Sequence, residues 1–404
     1  MKPSALLATG DELIPALRGI QRSSFVAGGT IAIICLLGFV LRPAQFFRSY
    51  LAAYLLLLGV TLGSLALAMV HQVSGGAWGV VIRRILGAAT RTLPVLTILF
   101  VPIALGAGML YPWTDASLVA HDEALQWKHP YLNMPFFLVR AVMYFAAWNA
   151  LSYLLNRWSL EQDRSTDPTY ARRMQLVSAG GLVVYGLTIT FASFDWLMSL
   201  EPHWFSTIYG VLVIGGQGLA AMAFSIIILQ WLSSRAPLND IVTHAHFHDL
   251  GNLLLAFVML WAYFSFSQYL IIWSGNLPEE TEWYLHRVAT SWKLVGGALV
   301  ILHFALPFVL LLSRAMKRRA QTLAAIAGLV LLMRYVDLFW LTAPAFHPGG
   351  LQVHWLDVAV PLALGPIWFG AFVHELRGRP LLPVHDPEFQ EAVGRAVGRL
   401  EQQS

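Results

Sequence analysis

Cysteine is nearly absent: the chain has one, Cys35, inside an apolar run. A disulfide needs two such residues and a thiolate-held iron–sulfur cluster needs more, so neither can form within this chain. No C-x-x-C-H occurs, which removes a covalently attached c-type haem. Charge is scarce as well. Asp, Glu, Lys and Arg make up 12% of the 404 residues, against about 25% in an ordinary soluble domain. The formal charge of +4 and pI near 9.2 arise from basic residues scattered through short connections. They form no stripe interleaved with stacking aromatics, so nucleic acid is not an expected partner. Long polar stretches are missing too. The longest connections, 111 to 134 and 156 to 174, are too short for a domain. Any chemistry therefore lies among apolar segments or belongs to partners.

What the chain has in abundance is apolar and aromatic surface: 57% hydrophobic residues, with 15 Trp, 13 Tyr and 23 Phe, and a mean hydropathy of +0.62. Apolar runs of membrane-spanning length, bounded by charge, Pro or Gly, occur ten times. They fall at about 24–41, 48–70, 90–110, 135–155, 175–194, 206–231, 250–272, 292–312, 321–341 and 356–374. The expected fold is an all-α polytopic membrane protein with ten transmembrane helices. It comprises an N-terminal segment over 1–23, a membrane domain over 24–374 and a tail over 375–404. The first run follows Lys2, Arg18 and Arg22 like a signal peptide, but no small-residue cleavage site precedes Arg42, so it reads as a helix. In the tail, Asp386 and Pro387 start a helix. Phe389, Val393, Val397 and Leu400 then recur at helical spacing with Arg395 and Arg399 between them, the pattern of an amphipathic helix on the membrane surface or a partner.

With ten spans both termini share a side. That side collects most of the 26 Lys and Arg, whereas the other carries only Arg42, Arg48, Lys128, Arg287 and Lys293. The positive-inside rule predicts cytoplasmic termini.

An ionised side chain at the bilayer centre costs about 2.5–3.5 kcal/mol on insertion scales, so each one needs a partner, a wet cavity or a function. Arg140 in the fourth span, Asp195 at the end of the fifth, and Arg334 with Asp337 in the ninth all fall in the outer half. Arg334 and Asp337 lie three apart, share a face and can pair. Arg140 and Asp195 have no opposite charge within a turn and must find one across the bundle. The segment from Phe191 to Gly210 sets Asp195, Glu201 and His203 among Trp196, Trp204 and Phe205. Carboxylates beside an imidazole in an aromatic interface suit a quinone headgroup or a proton relay, and equally an interfacial aromatic belt with a turn at Pro202. On the opposite side THAHFHDLGN holds His244, His246, His248 and Asp249; without a second ligand set it is a poor metal site. His303, near the middle of the eighth span, reads first as a neutral, hydrogen-bonded core histidine. It has no deep partner histidine, so bis-histidine haem is not expected.

Several long motifs then resemble one family: DWLMSLEPHWFSTIYG (195–210), DLGNLLLAFVMLWAYFSFSQYLIIWSGNLPEET (249–281), HFALPFVLLLSR (303–314) and PLLPVHDPEF (380–389), with GGAWG (75–79) and RTLP (91–94). In order along nearly the whole chain, they resemble the second quinone-binding-type membrane subunit of alternative complex III, a bacterial quinol:cytochrome c oxidoreductase. The resemblance implies an NrfD-like (polysulfide-reductase-like) fold with two four-helix bundles, about 48–194 and 206–341, flanked by the first and last helices. It also implies that haem c and iron–sulfur clusters sit on other subunits. The implied partners are a paralogous membrane subunit, an iron–sulfur subunit, c-type cytochrome subunits and a terminal oxidase, in the bacterial inner membrane. Quinol oxidation is attributed in that family chiefly to the paralogous subunit. Carried onto this sequence, the matching polar positions are Asp195, Glu201, His203, Asp249, His303, Arg334 and Asp337. With Arg140 they form the expected proton-conducting or quinone-adjacent set. The expectation is a subunit without metal-held or covalent cofactors, with quinone or quinol as its one candidate ligand. Its rivals are a purely structural scaffold and a secondary transporter built from two repeats.

Overall fold

The computed structural model describes residues 13–165, 167–235 and 238–379; the tail helix expected over 386–400 lies outside them. The described residues are helical with no strand. Ten helices are long and apolar enough to cross a membrane, as the run lengths predict, and the chain is a multi-pass integral membrane protein. We label them α1 (Ile14–Leu41), α2 (Pro43–Ser74), α3 (Arg83–Leu105), α4 (Met134–Gln162), α5 (Thr169–Leu200), α6 (Tyr209–Leu232), α7 (His244–Gly275), α8 (Trp292–Leu312), α9 (Ala320–Ala345) and α10 (Trp355–Arg377). Helices are the expected solution, because a backbone in lipid must satisfy its polar groups within its own segment.

Several helices outrun the apolar runs that announced them. α1 begins ten residues before its expected start at 24, because Leu13, Ile14, Ala16 and Leu17 continue the helical pattern through Arg18 and Arg22. α3 starts at Arg83 rather than 90 and is broken into Arg83–Thr90, Leu93–Leu99 and Val101–Leu105. Pro94 and Pro102 cause those breaks, since each lacks an N–H and crowds the preceding turn. Arg83 and Arg84, which lie before the expected run at 90–110, are therefore borne on a helix with Arg91. Arg83 donates to Gln162 Oε1 at 2.9 Å, Arg84 pairs with Asp163, and Arg91 Nε donates to Glu375 Oε2 at 2.7 Å.

Two helices form the middle of the molecule. α2 and α6 are each 83% buried over their most apolar window, more than any other span, and they pack on each other. Gly63 makes this possible: a Cβ there would lie 2.0 Å from the Gln217 carbonyl oxygen, so the two backbones nearly touch, as small residues permit in membranes. α3 and α5 pack on α2, with α4 on α5; α7 and α9 pack on α6, with α8 against α7 and α9. α1 and α10 pair and lean on α2. Trp368 of α10 donates to Thr92 Oγ1 of α3 at 2.8 Å. The outer faces of α7 and α8 stay apolar and exposed, with Tyr263, Phe266, Trp273, Val300 and Val309 among them.

We call the end where α1 begins and α10 closes the terminal end, and the other the far end. At the far end, residues 107–128 wind through short helical turns. Asp115 and Asp122 cap two of these through backbone N–H groups. A longer helix, Pro278–Ala289, lies between α7 and α8, and its Trp283 stacks on Trp204 at 4.9 Å.

Candidate functional site

α8 carries a π-helical stretch in the membrane region. Pro307 cannot donate to the carbonyl of His303, four residues back, and its ring crowds that oxygen. The helix answers by widening: Leu299–Ala305 is π-helical, and Leu306 N–H bonds to the carbonyl of Ile301. Such π-turns inside α-helices recur at functional sites. Here the wide turn presents His303, which is 0% exposed.

The expectation of a hydrogen-bonded core histidine is corrected. Neither ring nitrogen of His303 meets a hydrogen-bond partner among the described residues. The ring instead packs edge-on to the Trp261 indole of α7, 4.3 Å between centroids. Trp261 Nε1 donates to Asp337 Oδ2 at 3.0 Å. Arg334, one turn earlier on α9, pairs with the same oxygen, as their spacing predicts. The guanidinium fits because α6 offers Gly216, where a Cβ would fall 2.2 Å from Arg334 Cζ. All four helices of the α6–α9 group thus meet around one ion pair and one bare imidazole.

The α2–α5 group holds a second buried pair. Arg140 of α4 grips Asp195 of α5 through two parallel bonds, Nε to Oδ2 at 2.9 Å and Nη2 to Oδ1 at 2.8 Å. This is the fork-to-carboxylate geometry in which guanidinium is strongest. Tyr144, one turn along from Arg140, donates to Asp195 Oδ2 at 2.9 Å. Arg140 Nη1 donates to the Tyr131 carbonyl at 2.8 Å, and the guanidinium lies over the Tyr131 ring at 3.8 Å. Both charges have thus found each other across two helices, and the carboxylate is saturated with donors.

The other expected residues stand apart. Asp195, Glu201 and His203 do not share one cluster; each takes its own partner. Glu201 accepts from Arg287 Nη2 at 2.8 Å, and that guanidinium lies over the Trp283 ring at 3.5 Å. Burial pushes Arg287 below its ordinary range, and Glu201 opposes the shift. His203 lies within 2.9 Å of Asp122 at the exposed far end. Asp249 is exposed near the start of α7, beside His248. His244 contacts the Arg318 carbonyl at 2.9 Å, while His246 Nδ1 accepts from Thr243 N at 3.0 Å in a cap. The three histidines of this segment therefore engage separate local groups.

Of the expected set, the structure brings together His303, Arg334 and Asp337 in one place and Arg140 with Asp195 in another. It adds Trp261, Gly216, Tyr144 and Arg287, which sequence reasoning passed over. Tyr144 was detectable, four residues from Arg140 on the same face. So was the widened turn, from a proline four residues after a mid-span histidine. Trp261 and Gly216 carry no such signal, since nothing in one sequence says which helix faces which. No family model matches this chain, and no curated protein matches it significantly.

Proposed function

We propose that this chain is an integral membrane subunit of a respiratory quinol-oxidising complex, contributing a proton path or a quinone-adjacent surface and docking the subunits that carry electrons. The acceptor in this reading is cytochrome c or another carrier on the far side. The complex lies in a bacterial inner membrane with both termini cytoplasmic, on the charge bias of the connections. The partners in this reading are a paralogous membrane subunit, an iron–sulfur subunit and c-type cytochromes. The chain itself holds no redox centre.

Support for the respiratory part comes from the long motifs at 195–210, 249–281 and 303–314. The observation that carries the proton part is His303: a buried imidazole with both nitrogens unengaged by the described residues, beside a tryptophan-held carboxylate–guanidinium pair. A neutral imidazole has one donor and one acceptor nitrogen, so it can take a proton on one side and release it on the other. Quinol oxidation releases protons that must reach the far side, and a titratable group midway through α8 suits that duty.

The test is to pull this subunit down from mildly solubilised membranes and record haem c, iron and quinol:cytochrome c activity. His303→Gln and Asp337→Asn complexes are then reconstituted into vesicles. We expect full assembly with a lower proton-to-electron ratio. Unchanged stoichiometry in both variants removes the proton path, and an iron-free, colourless isolate removes the respiratory complex. A scaffold reading draws on the saturated Arg140–Asp195 pair. It predicts that Asp337→Asn lowers complex stability while turnover per assembled complex stays the same.

A further inference from the structure

At the far end, the α1–α2 corner and the segment leading into α10 enclose a cavity of about 390 Å³, lined by Arg42, Gln45, Arg48, His347, Gln352 and His354 among others. It is remote in sequence and helix from His303 and from the Arg140–Asp195 pair, and the function proposed above does not use it. We propose that this cavity binds a phosphate group, with Arg48 and Arg42 supplying charge and His354 a further donor.

Two arginines line it and no carboxylate does. Arg48 is half-buried, and a cation taken out of water is costly unless it is paired. Among the described residues neither Arg42 nor Arg48 has an acid within ion-pair distance. Arg48 Nε is buried without a hydrogen-bond partner, and its guanidinium is steadied by the Phe346 ring at 4.7 Å. An oriented, unneutralised guanidinium beside a void is what a bidentate phosphate contact requires. Asp357 of α10 is already engaged: Gln45 donates at 3.0 Å, His354 N at 2.8 Å, and Ser49 also donates.

His354 Nδ1 accepts the Leu356 N–H at 3.3 Å. A neutral ring in that role carries its proton on Nε2, which makes Nε2 a donor. His347 completes the wall; burial, then Arg48, push it below its ordinary value, while Asp357 pulls the other way.

The surroundings favour a lipid phosphodiester over free phosphate. Below the cavity, Ile34, Leu37 and Leu41 of α1 are exposed, as are Val358 and Leu362 of α10. Val358 and Leu362 lie four and eight residues beyond His354, on the same face. Two apolar stripes thus leave a basic cavity, the layout of a headgroup site with acyl chains along the helices.

The experiment uses the full chain, purified in non-ionic detergent and delipidated. Native mass spectrometry follows titration with phosphatidylglycerol, and separately with inorganic phosphate. The wild type is expected to retain phosphatidylglycerol, Arg48→Gln to bind it about tenfold more weakly, and the Arg42→Gln/Arg48→Gln pair more weakly still. Arg48→Lys should recover part of the loss. Arg42 is exposed, so Arg42→Gln alone keeps the test alive if Arg48→Gln disturbs folding. Phosphate binding that depends on both arginines, with no lipid retained, supports the site and assigns it to free phosphate. Equal binding of both ligands by wild type and double variant overturns the proposal.

Discussion

The Trp261 indole does two things at once: its face-edge contact holds the His303 ring at 4.3 Å, and its N–H is spent on Asp337 at 3.0 Å. The two residues therefore respond oppositely to substitution. Trp261→Phe keeps an aromatic wall but removes a donor from a buried carboxylate, and is expected to cost about 1.5–3 kcal/mol. His303→Leu removes polar nitrogens that bond to none of the described residues, and is expected to leave thermal stability unchanged or raised. Thermal unfolding of both variants in the same detergent checks this. A large loss in His303→Leu would mean that the imidazole is structural.

Arg140 and Asp195 form a closed pair, and removing one partner strands the other. Asp195→Leu or Arg140→Met should each destabilise the protein by about 3–5 kcal/mol, with much of that regained in the Arg140→Met/Asp195→Leu double variant. A double-mutant cycle by thermal or denaturant unfolding measures the coupling. Additive losses would show that the pair contributes no interaction of its own.

Pro307 is the cause of the π-turn, so Pro307→Ala should allow α8 to return to regular i−4 bonding. Losing the extra residue of the turn rotates everything before it by about 100° relative to the rest of the helix. His303 then leaves the Trp261 contact. Cysteine substitutions at Val300 and Ile301, both exposed now, would change their labelling by an apolar thiol reagent. Retention of the present labelling pattern in Pro307→Ala would mean that packing, not proline, sets the turn.

Acid sensitivity at the far end should trace to His347. Its value is held below the ordinary 6.5 by burial first and Arg48 second, so the folded state binds the proton less readily than the unfolded chain. The sign follows: its stabilising contribution is complete above about pH 6.5 and is lost as pH falls through the lowered value. Thermal midpoints between pH 5 and 8 should fall more steeply in wild type than in His347→Gln. Identical profiles would remove His347 from the acid response.

How much of this was legible beforehand depends on whether the information is local. Ten helices follow from run length and hydropathy, which one sequence carries. The Arg334–Asp337 pair follows from helical spacing, and the break in α3 could have been read from Pro94 and Pro102. Partners across helices could not. That Asp195 meets Arg140, Glu201 meets Arg287 and His203 meets Asp122 depends on how helices and loops assemble. The same holds for Arg83, Arg84 and Arg91, whose partners Gln162, Asp163 and Glu375 are brought beside them by the fold.

The near-contact of Gly63 with the Gln217 backbone has a mechanical meaning. A carrier that alternates its access swings one half of the molecule against the other, opening the seam between them once per cycle. Here that seam runs along α2 and α6, the two most buried helices, with no side chain at Gly63 to act as a bearing. Parting it would expose two peptide backbones to lipid in every turnover. The two halves are better described as a welded frame than as jaws.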